Sequence, residues 1–156
     1  MPDSGTDRDN LISVLLAELR RQGIRDERVL ATIGRVPRER FVPERSHDQA
    51  WANVALPIGA GQTISQPYIV ALMTAALNLT GVERVLEVGA GSGYQAAILA
   101  ELASDVISVE RHPKLAAAAK TRLRELGYDN VHVRVGDGTT GWPGHAPYAR
   151  LVVTAG

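Results

Sequence analysis

Eight residues, Glu87-Val88-Gly89-Ala90-Gly91-Ser92-Gly93-Tyr94, stand between the apolar pair Val85-Leu86 and the stretch Gln95-Ala96-Ala97-Ile98-Leu99-Ala100. An apolar strand that turns through glycines into a helix commits this chain to an α/β arrangement. Glycines at alternate positions let the backbone adopt positive φ and approach a ligand closely, and the N–H groups opening the next helix face the same space. The spacing Gly-x-Gly-x-Gly differs from the dinucleotide form Gly-x-Gly-x-x-Gly and lacks the Lys-Ser/Thr ending of a phosphate-binding loop. Taken alone, the segment fits either a ligand loop or a tight strand-to-helix turn.

Its surroundings narrow the choice. About 20 residues on, Val106-Ile107-Ser108-Val109 reads as a second strand ending in Glu110, where an open α/β sheet places the acid that holds a ribose diol. Glu110 also suits the approach to a helix opening at Pro113. A third strand, Val131-His132-Val133-Arg134-Val135, ends in Gly136-Asp137-Gly138, an acid between glycines that serves equally as turn chemistry or as a ligand contact. Three successive strand ends carrying glycine or acid favour a nucleoside-bearing ligand.

Composition sets outer bounds. With 156 residues, 45% of them hydrophobic and 22% charged, the chain has material for one ordinary core and reads as a single domain. Lys plus Arg equals Asp plus Glu at 17 each, so no global field recruits nucleic acid or an anionic membrane, and neither is expected as a partner. The absence of cysteine excludes disulfides, thiolate zinc sites and cysteine nucleophiles, and fits the cytoplasm. His47, His112, His132 and His145 show no ligand spacing, and no metal is expected.

Residues 1–9 are polar and are expected to be disordered. Between Asn10 and Ile33 the apolar positions recur at helical spacing, broken at Gly23-Ile24-Arg25-Asp26, which predicts two helices. Arg20, Arg21, Arg25, Arg28, Arg35, Arg38, Arg40 and Arg45 give this half a basic bias, read as a solvated face. Val36-Pro37-Arg38-Glu39-Arg40-Phe41-Val42-Pro43 predicts a short helical turn, and Leu56 to Pro67 a glycine-rich loop before a buried helix over Tyr68–Leu79. Thus 10–67 form a helical entry segment, which the resemblance described below places on the substrate side, and 68–156 an α/β core, with strands at 85–88, 106–109, 131–135 and 151–154 and helices at 94–102 and 113–126.

Four segments give the chain a specific resemblance: Val36-Pro37-Arg38-Glu39-Arg40-Phe41-Val42-Pro43; Leu56-Pro57-Ile58-Gly59 through Gln62-Thr63-Ile64-Ser65-Gln66-Pro67; the glycine loop; and Gly136-Asp137-Gly138 with Gly141. It resembles the protein-L-isoaspartate (D-aspartate) O-methyltransferases, class I enzymes dependent on S-adenosylmethionine. The resemblance implies a Rossmann-like sheet in which Gly89, Gly91 and Gly93 lie near the methionine part of the cofactor, Glu110 binds the ribose, and Asp137 with Gly138 faces the adenine. Ile64, Glu87, Ala90, Ser92, Arg111 and Gly136 complete the expected cofactor contacts. Thr63, Ile64 and Ser65 would line the methyl-transfer side, with Ser65 and Thr63 as the catalytic residues and S-adenosylhomocysteine as product.

The implied substrate, the α-carboxylate of an isoaspartyl residue in a peptide or protein, has a pKa near 4 and needs no strong base at neutral pH. Positioning is the task, and the Ser65 hydroxyl is suited to orient one carboxylate oxygen. Ser65 is equally placed to cap a helix starting near Pro67. The Asn/Asp-Pro-Pro-aromatic signature of exocyclic-amine methylation is replaced by Val153-Thr154-Ala155-Gly156. Trp51, Asn53 and Ala149 depart from the family pattern. Family members continue past the fourth strand, so the resemblance implies a sheet shortened at 151–154, whose apolar edge a second copy or partner chain is expected to cover. The alternatives are an S-adenosylmethionine-binding module without turnover, and a methyltransferase for another aspartyl-peptide or carboxylate substrate.

Overall fold

The computed structural model describes residues 4–154. Two helices, α1 (Ser4–Arg21) and α2 (Glu27–Arg35), precede a small antiparallel hairpin, β1 (Leu56–Gly59) and β2 (Gln62–Ile64). There follow α3 (Pro67–Leu77), β3 (Arg84–Val88), α4 (Tyr94–Leu102), β4 (Asp105–Glu110), α5 (Pro113–Glu125), β5 (Val131–Val135) and β6 (Arg150–Val153). The last four strands form one parallel sheet in the order β5-β4-β3-β6. That order puts the strand leading into the glycine loop at the centre, where neighbours on both sides fix its end.

Helix α4 is the core helix. Ala96, Ala97, Ile98 and Leu99 are all fully buried, and the helix turns a polar residue to solvent at its last turn, Glu101. Small residues at 96 and 97 let the helix approach the strands closely, and Val85, Val106, Ile98 and Leu99 belong to one hydrophobic cluster that extends to Leu15, Leu19, Leu30 and Ile33 of the first two helices. On the opposite face of the sheet, Leu86, Ile107 and Val109 pack with Trp142 and Tyr148.

The structure departs from the sequence expectations at several points. The segment from 4 to 9 is helical, tied down by the Arg8–Glu39 ion pair at 2.7 Å and by the Arg8 guanidinium over the Trp51 ring; residues 1–3, also expected to be disordered, lie outside the described residues. Residues 56–64 form a hairpin instead of a loop, because Ala60 and Gly61 both take positive φ, 53° and 68°, as a tight turn between right-twisted strands requires. Helix α3 keeps an exposed apolar stripe at Ile69 and Leu72 instead of being buried all round. Arg38, read with the solvated arginines, is the largest fully buried side chain of the molecule.

Ser65 does not cap α3. The capping position is Gln66, whose side chain makes no capping bond, and the Tyr68 N–H in the first turn of the helix donates instead to Oδ1 of Asn53 at 3.0 Å. The same Asn53 amide donates to Glu18 of α1 and to Gln22 just past its end, so one side chain joins α1, the 50–54 segment and the start of α3.

Candidate active site

The carboxyl ends of β3, β4 and β5 open onto two hollows that meet at Gly89. The larger, about 230 Å³, is bounded by Val88 and Gly89, by Glu110, Arg111 and His112 after β4, and by Asp137, Gly138 and Thr139 after β5, with Gln62 from the hairpin. The smaller, about 30 Å³, lies between Thr63, Ile64 and Ser65 on one side and Gly89, Ala90, Gly91 and Ser92 on the other, with Tyr94, Gln95 and Thr154 also lining it.

The glycine loop is fixed from within. The Gly89 N–H donates to the Val109 carbonyl at 2.7 Å, the Gly91 N–H to Glu110 Oε1 at 2.9 Å, and the Gly93 N–H to the Ala90 carbonyl at 2.8 Å. Gly89, Gly91 and Gly93 hold φ values of 97°, 54° and 91°, the left-handed region that side chains disfavour. Their amides therefore brace the loop and do not face a ligand, contrary to the simplest reading of the motif. Among the described residues the Ala90 and Ser92 amides make no hydrogen bond.

Glu110 has two roles. Its Oε1 accepts from Gly91 and its Oε2 accepts from the His112 N–H at 2.8 Å, so it stitches the two loops together. Each carboxylate oxygen has a second lone pair, and the group lines the larger hollow. Asp137 combines turn chemistry with exposure to the same hollow. Its Oδ1 accepts from the Thr139 N–H and hydroxyl at 2.9 and 2.8 Å, and these bonds hold its pKa below the usual range, first through the backbone N–H.

Three residues expected at the cofactor lie elsewhere. Glu87 is fully buried behind the loop and reaches neither hollow; its Oε1 accepts from the Ser108 hydroxyl at 2.5 Å, and Thr154 Oγ1 lies 3.5 Å from Oε2. Burial, the largest cause, raises its pKa to about 8, so it carries its proton at neutral pH. The Thr154 hydroxyl also sits 2.6 Å from the Gly89 carbonyl, so Glu87 braces the loop from below. Gly93 serves packing, since a Cβ there would press on Leu123 at 3.2 Å, and Gly136 lies over the Trp142 ring.

Ser65 and Thr63 both line the smaller hollow, and among the described residues neither hydroxyl makes a hydrogen bond. Gln95 faces it with a buried amide whose Nε2 donates to Thr74 Oγ1 at 2.8 Å, while its Oε1 has no partner. Gln62 and Gln95 escaped sequence reasoning, although Gln62 stands inside the motif that carried the resemblance and Gln95 follows the glycine loop directly.

This donor and acceptor set fits S-adenosylmethionine. An unpartnered buried amide oxygen suits the ammonium group of the methionine part, and the Glu110 carboxylate suits a vicinal diol. A phosphate in the larger hollow would instead meet the carboxylates of Glu110 and Asp137. Gly138 provides a cradle that a side chain would close, because a Cβ there would overlap Val88 Cγ1.

Comparison with known proteins agrees. The model of the protein-L-isoaspartate (D-aspartate) O-methyltransferase family matches residues 10–156. A protein-L-isoaspartate O-methyltransferase of Erwinia tasmaniensis is 59% identical over 144 residues, covering 92% of this chain and 69% of its own. A solved protein-L-isoaspartate O-methyltransferase superposes with a TM-score of 0.84 at 30% identity, over 93% of this chain and 48% of that one. A Plasmodium falciparum structure of the same description, in complex with S-adenosyl-L-homocysteine, shares the fold at a TM-score of 0.71 and 24% identity, over 91% of this chain and 72% of that one. The chain thus spans about half of the first solved relative and about two thirds of the bacterial one. It belongs to the protein-L-isoaspartate (D-aspartate) O-methyltransferase family, whose enzymes use S-adenosylmethionine as methyl donor.

Proposed function

We propose that this chain methylates the α-carboxylate of isoaspartyl residues in damaged peptides and proteins, with Ser65 and Thr63 orienting that carboxylate. The observation that carries the reading is the juxtaposition of Thr63, Ile64 and Ser65 with Gly89, Gly91 and Gln95 around one small hollow. S-adenosylmethionine, when bound, supplies a methyl group on a positively charged sulfur. The Gln95 amide oxygen would hold the ammonium group, Glu110 the ribose hydroxyls, and Asp137 with Gly138 and Arg111 the base.

The substrate carboxylate arrives ionised, which fits a hollow whose substrate side presents hydroxyls in place of a base. The free Ser65 hydroxyl would donate to one carboxylate oxygen and leave the other to attack in line. Such alignment supplies several kcal/mol, on the order of what proximity effects provide. The methyl ester carries methoxide as a leaving group, far better than the oxide of a carboxylate, so the neighbouring backbone nitrogen attacks the ester carbonyl, loses its proton and expels methanol to close a succinimide, and water opens that ring in part to normal aspartate.

The exposed edge of β6, where Leu151 and Val153 are 57% and 53% exposed, supports the further reading that another strand or a second copy pairs there. A monodisperse monomer in sedimentation would overturn that reading. The cysteine-free composition supports work in the reducing cytoplasm.

Calorimetric titration with S-adenosylhomocysteine, followed by radiolabelled methyl transfer to an isoaspartyl peptide and its aspartyl twin, tests the function. Transfer to the isoaspartyl peptide alone is expected. Binding without transfer would refute catalysis by this chain and leave a cofactor-binding module, and transfer to both peptides would refute the substrate.

A further inference from the structure

Among the described residues, no carboxylate pairs with the buried Arg38 cation. Its Nη1 donates to the carbonyls of Ala50 and Ala52 at 2.6 and 3.4 Å, and its Nη2 to those of Val54 and Ser65 at 2.8 and 3.1 Å. The first three carbonyls come from alternate residues of one segment, all turned onto one planar group. The fourth belongs to the residue whose hydroxyl faces the smaller hollow. The guanidinium also lies 5.8 Å from the centre of the Tyr94 ring, the residue that opens α4 directly after the glycine loop.

The segment that Arg38 grips carries Asn53 between its second and third gripped carbonyls, and Asn53 caps the start of α3 through Tyr68. Ser65 is therefore held from both sides. On one side its own carbonyl is bound to Arg38; on the other, the helix that begins two residues later is capped from a segment bound to Arg38. No helix cap of its own fixes Ser65, since Gln66 makes no capping bond.

We infer that Arg38 is a positioning residue for methyl transfer, a buried fork that holds the Ser65 backbone in register with the glycine loop through four carbonyls and the Tyr94 ring. This rests on the role of Ser65 proposed above. Only a planar, forked donor reaches two pairs of carbonyls at once; a lysine ammonium is a compact point charge and cannot span them.

The test compares Arg38→Lys and Arg38→Met with the wild-type chain in three measurements: S-adenosylhomocysteine affinity by calorimetry, kcat and KM with an isoaspartyl peptide, and backbone amide exchange. For Arg38→Lys, cofactor-product affinity within about twofold of wild type is expected, with kcat lower by about 10- to 100-fold, the penalty of roughly 1 Å of misplacement. The Tyr68 amide should exchange at least about tenfold faster while the amides of β3 and β4 keep their protection. Arg38→Met should exaggerate the same pattern, and if it fails to fold the lysine variant decides. Unchanged kcat in Arg38→Lys, unchanged Tyr68 exchange, or a parallel loss of S-adenosylhomocysteine binding and sheet protection would each overturn the inference. If the wild-type chain itself binds S-adenosylhomocysteine without transferring methyl, the proposed function fails, and the Tyr68 exchange then decides the clamp by itself.

Discussion

Glu87 makes stability fall as pH rises through the neutral range. Its carboxyl titrates near the ordinary value of 4.5 in the unfolded chain and at about 8 in the folded one, because it is wholly buried. Between those values the native state holds a proton that the unfolded state has released, so raising the pH draws the equilibrium toward unfolding. The stabilising contribution is complete below pH 4.5 and is lost as pH rises to about 8. One proton is worth about 1.4 kcal/mol per pH unit, and the slope halves at the folded-state pKa, so this group alone removes about 2 kcal/mol between pH 6 and pH 8. Glu87→Gln keeps the shape and an acceptor for the Ser108 hydroxyl at Oε1, and its amide can donate to Thr154, whose hydroxyl can still bond the Gly89 carbonyl. Urea unfolding of both proteins at pH 6, 7 and 8 isolates the term, because every other titrating group cancels in the difference. Wild type should lose about 2 kcal/mol more than the variant across that range. Equal slopes would refute the protonated state of Glu87 and the support it gives to Gly89.

Three further outcomes are expected. Glu83 behaves in the opposite sense: the Thr80 hydroxyl, followed by the Thr80 and Gly81 N–H groups, holds its pKa at about 2, so its contribution is present above pH 4.5 and lost as pH falls toward 2. Acid titration of the Glu83→Gln variant by circular dichroism should accordingly show a shallower acid limb than wild type. Glu110→Gln leaves only one good acceptor for the Gly91 and His112 amides, and calorimetry should show S-adenosylhomocysteine binding weaker by about 10- to 100-fold, the worth of a charge-assisted hydrogen bond. Gly138→Ala drives a methyl group into Val88, and thermal unfolding should register about 1–3 kcal/mol of destabilisation together with weaker cofactor binding.

The sheet was legible because its punctuation is local. Glycine-rich turns, apolar runs and helical spacing all fall within a few residues of one another, and they lead to the order β5-β4-β3-β6. What escaped was set by contacts distant in sequence. Asn53 caps a helix 15 residues away, and nothing in its neighbourhood announces that. Arg38 is one arginine among many in its half of the chain, and only the fold reveals that its partners are carbonyls at 50, 52, 54 and 65. Glu87 and Glu110 look alike as acids at strand ends and share one face of the sheet, but their depth along it separates them. Glu87 shares the face of buried Val85 and lies opposite Ser108, whereas Glu110, at the end of its strand, lines the hollow. The Ser65 capping reading failed for a related reason: a better-placed amide oxygen arrived from another segment.

In the function proposed above, the hairpin ahead of the sheet would join two tasks that a kinetic scheme writes as independent. Gln62 borders the larger hollow and Ser65 the smaller, and about 10 Å of extended chain separates them. A strand that short transmits tilt instead of absorbing it. In that function, grip on the nucleoside and aim at the carboxylate would therefore depend on the same short strand, which leaves the turn at Ala60 and Gly61, carries Gln62 and runs directly into Ser65.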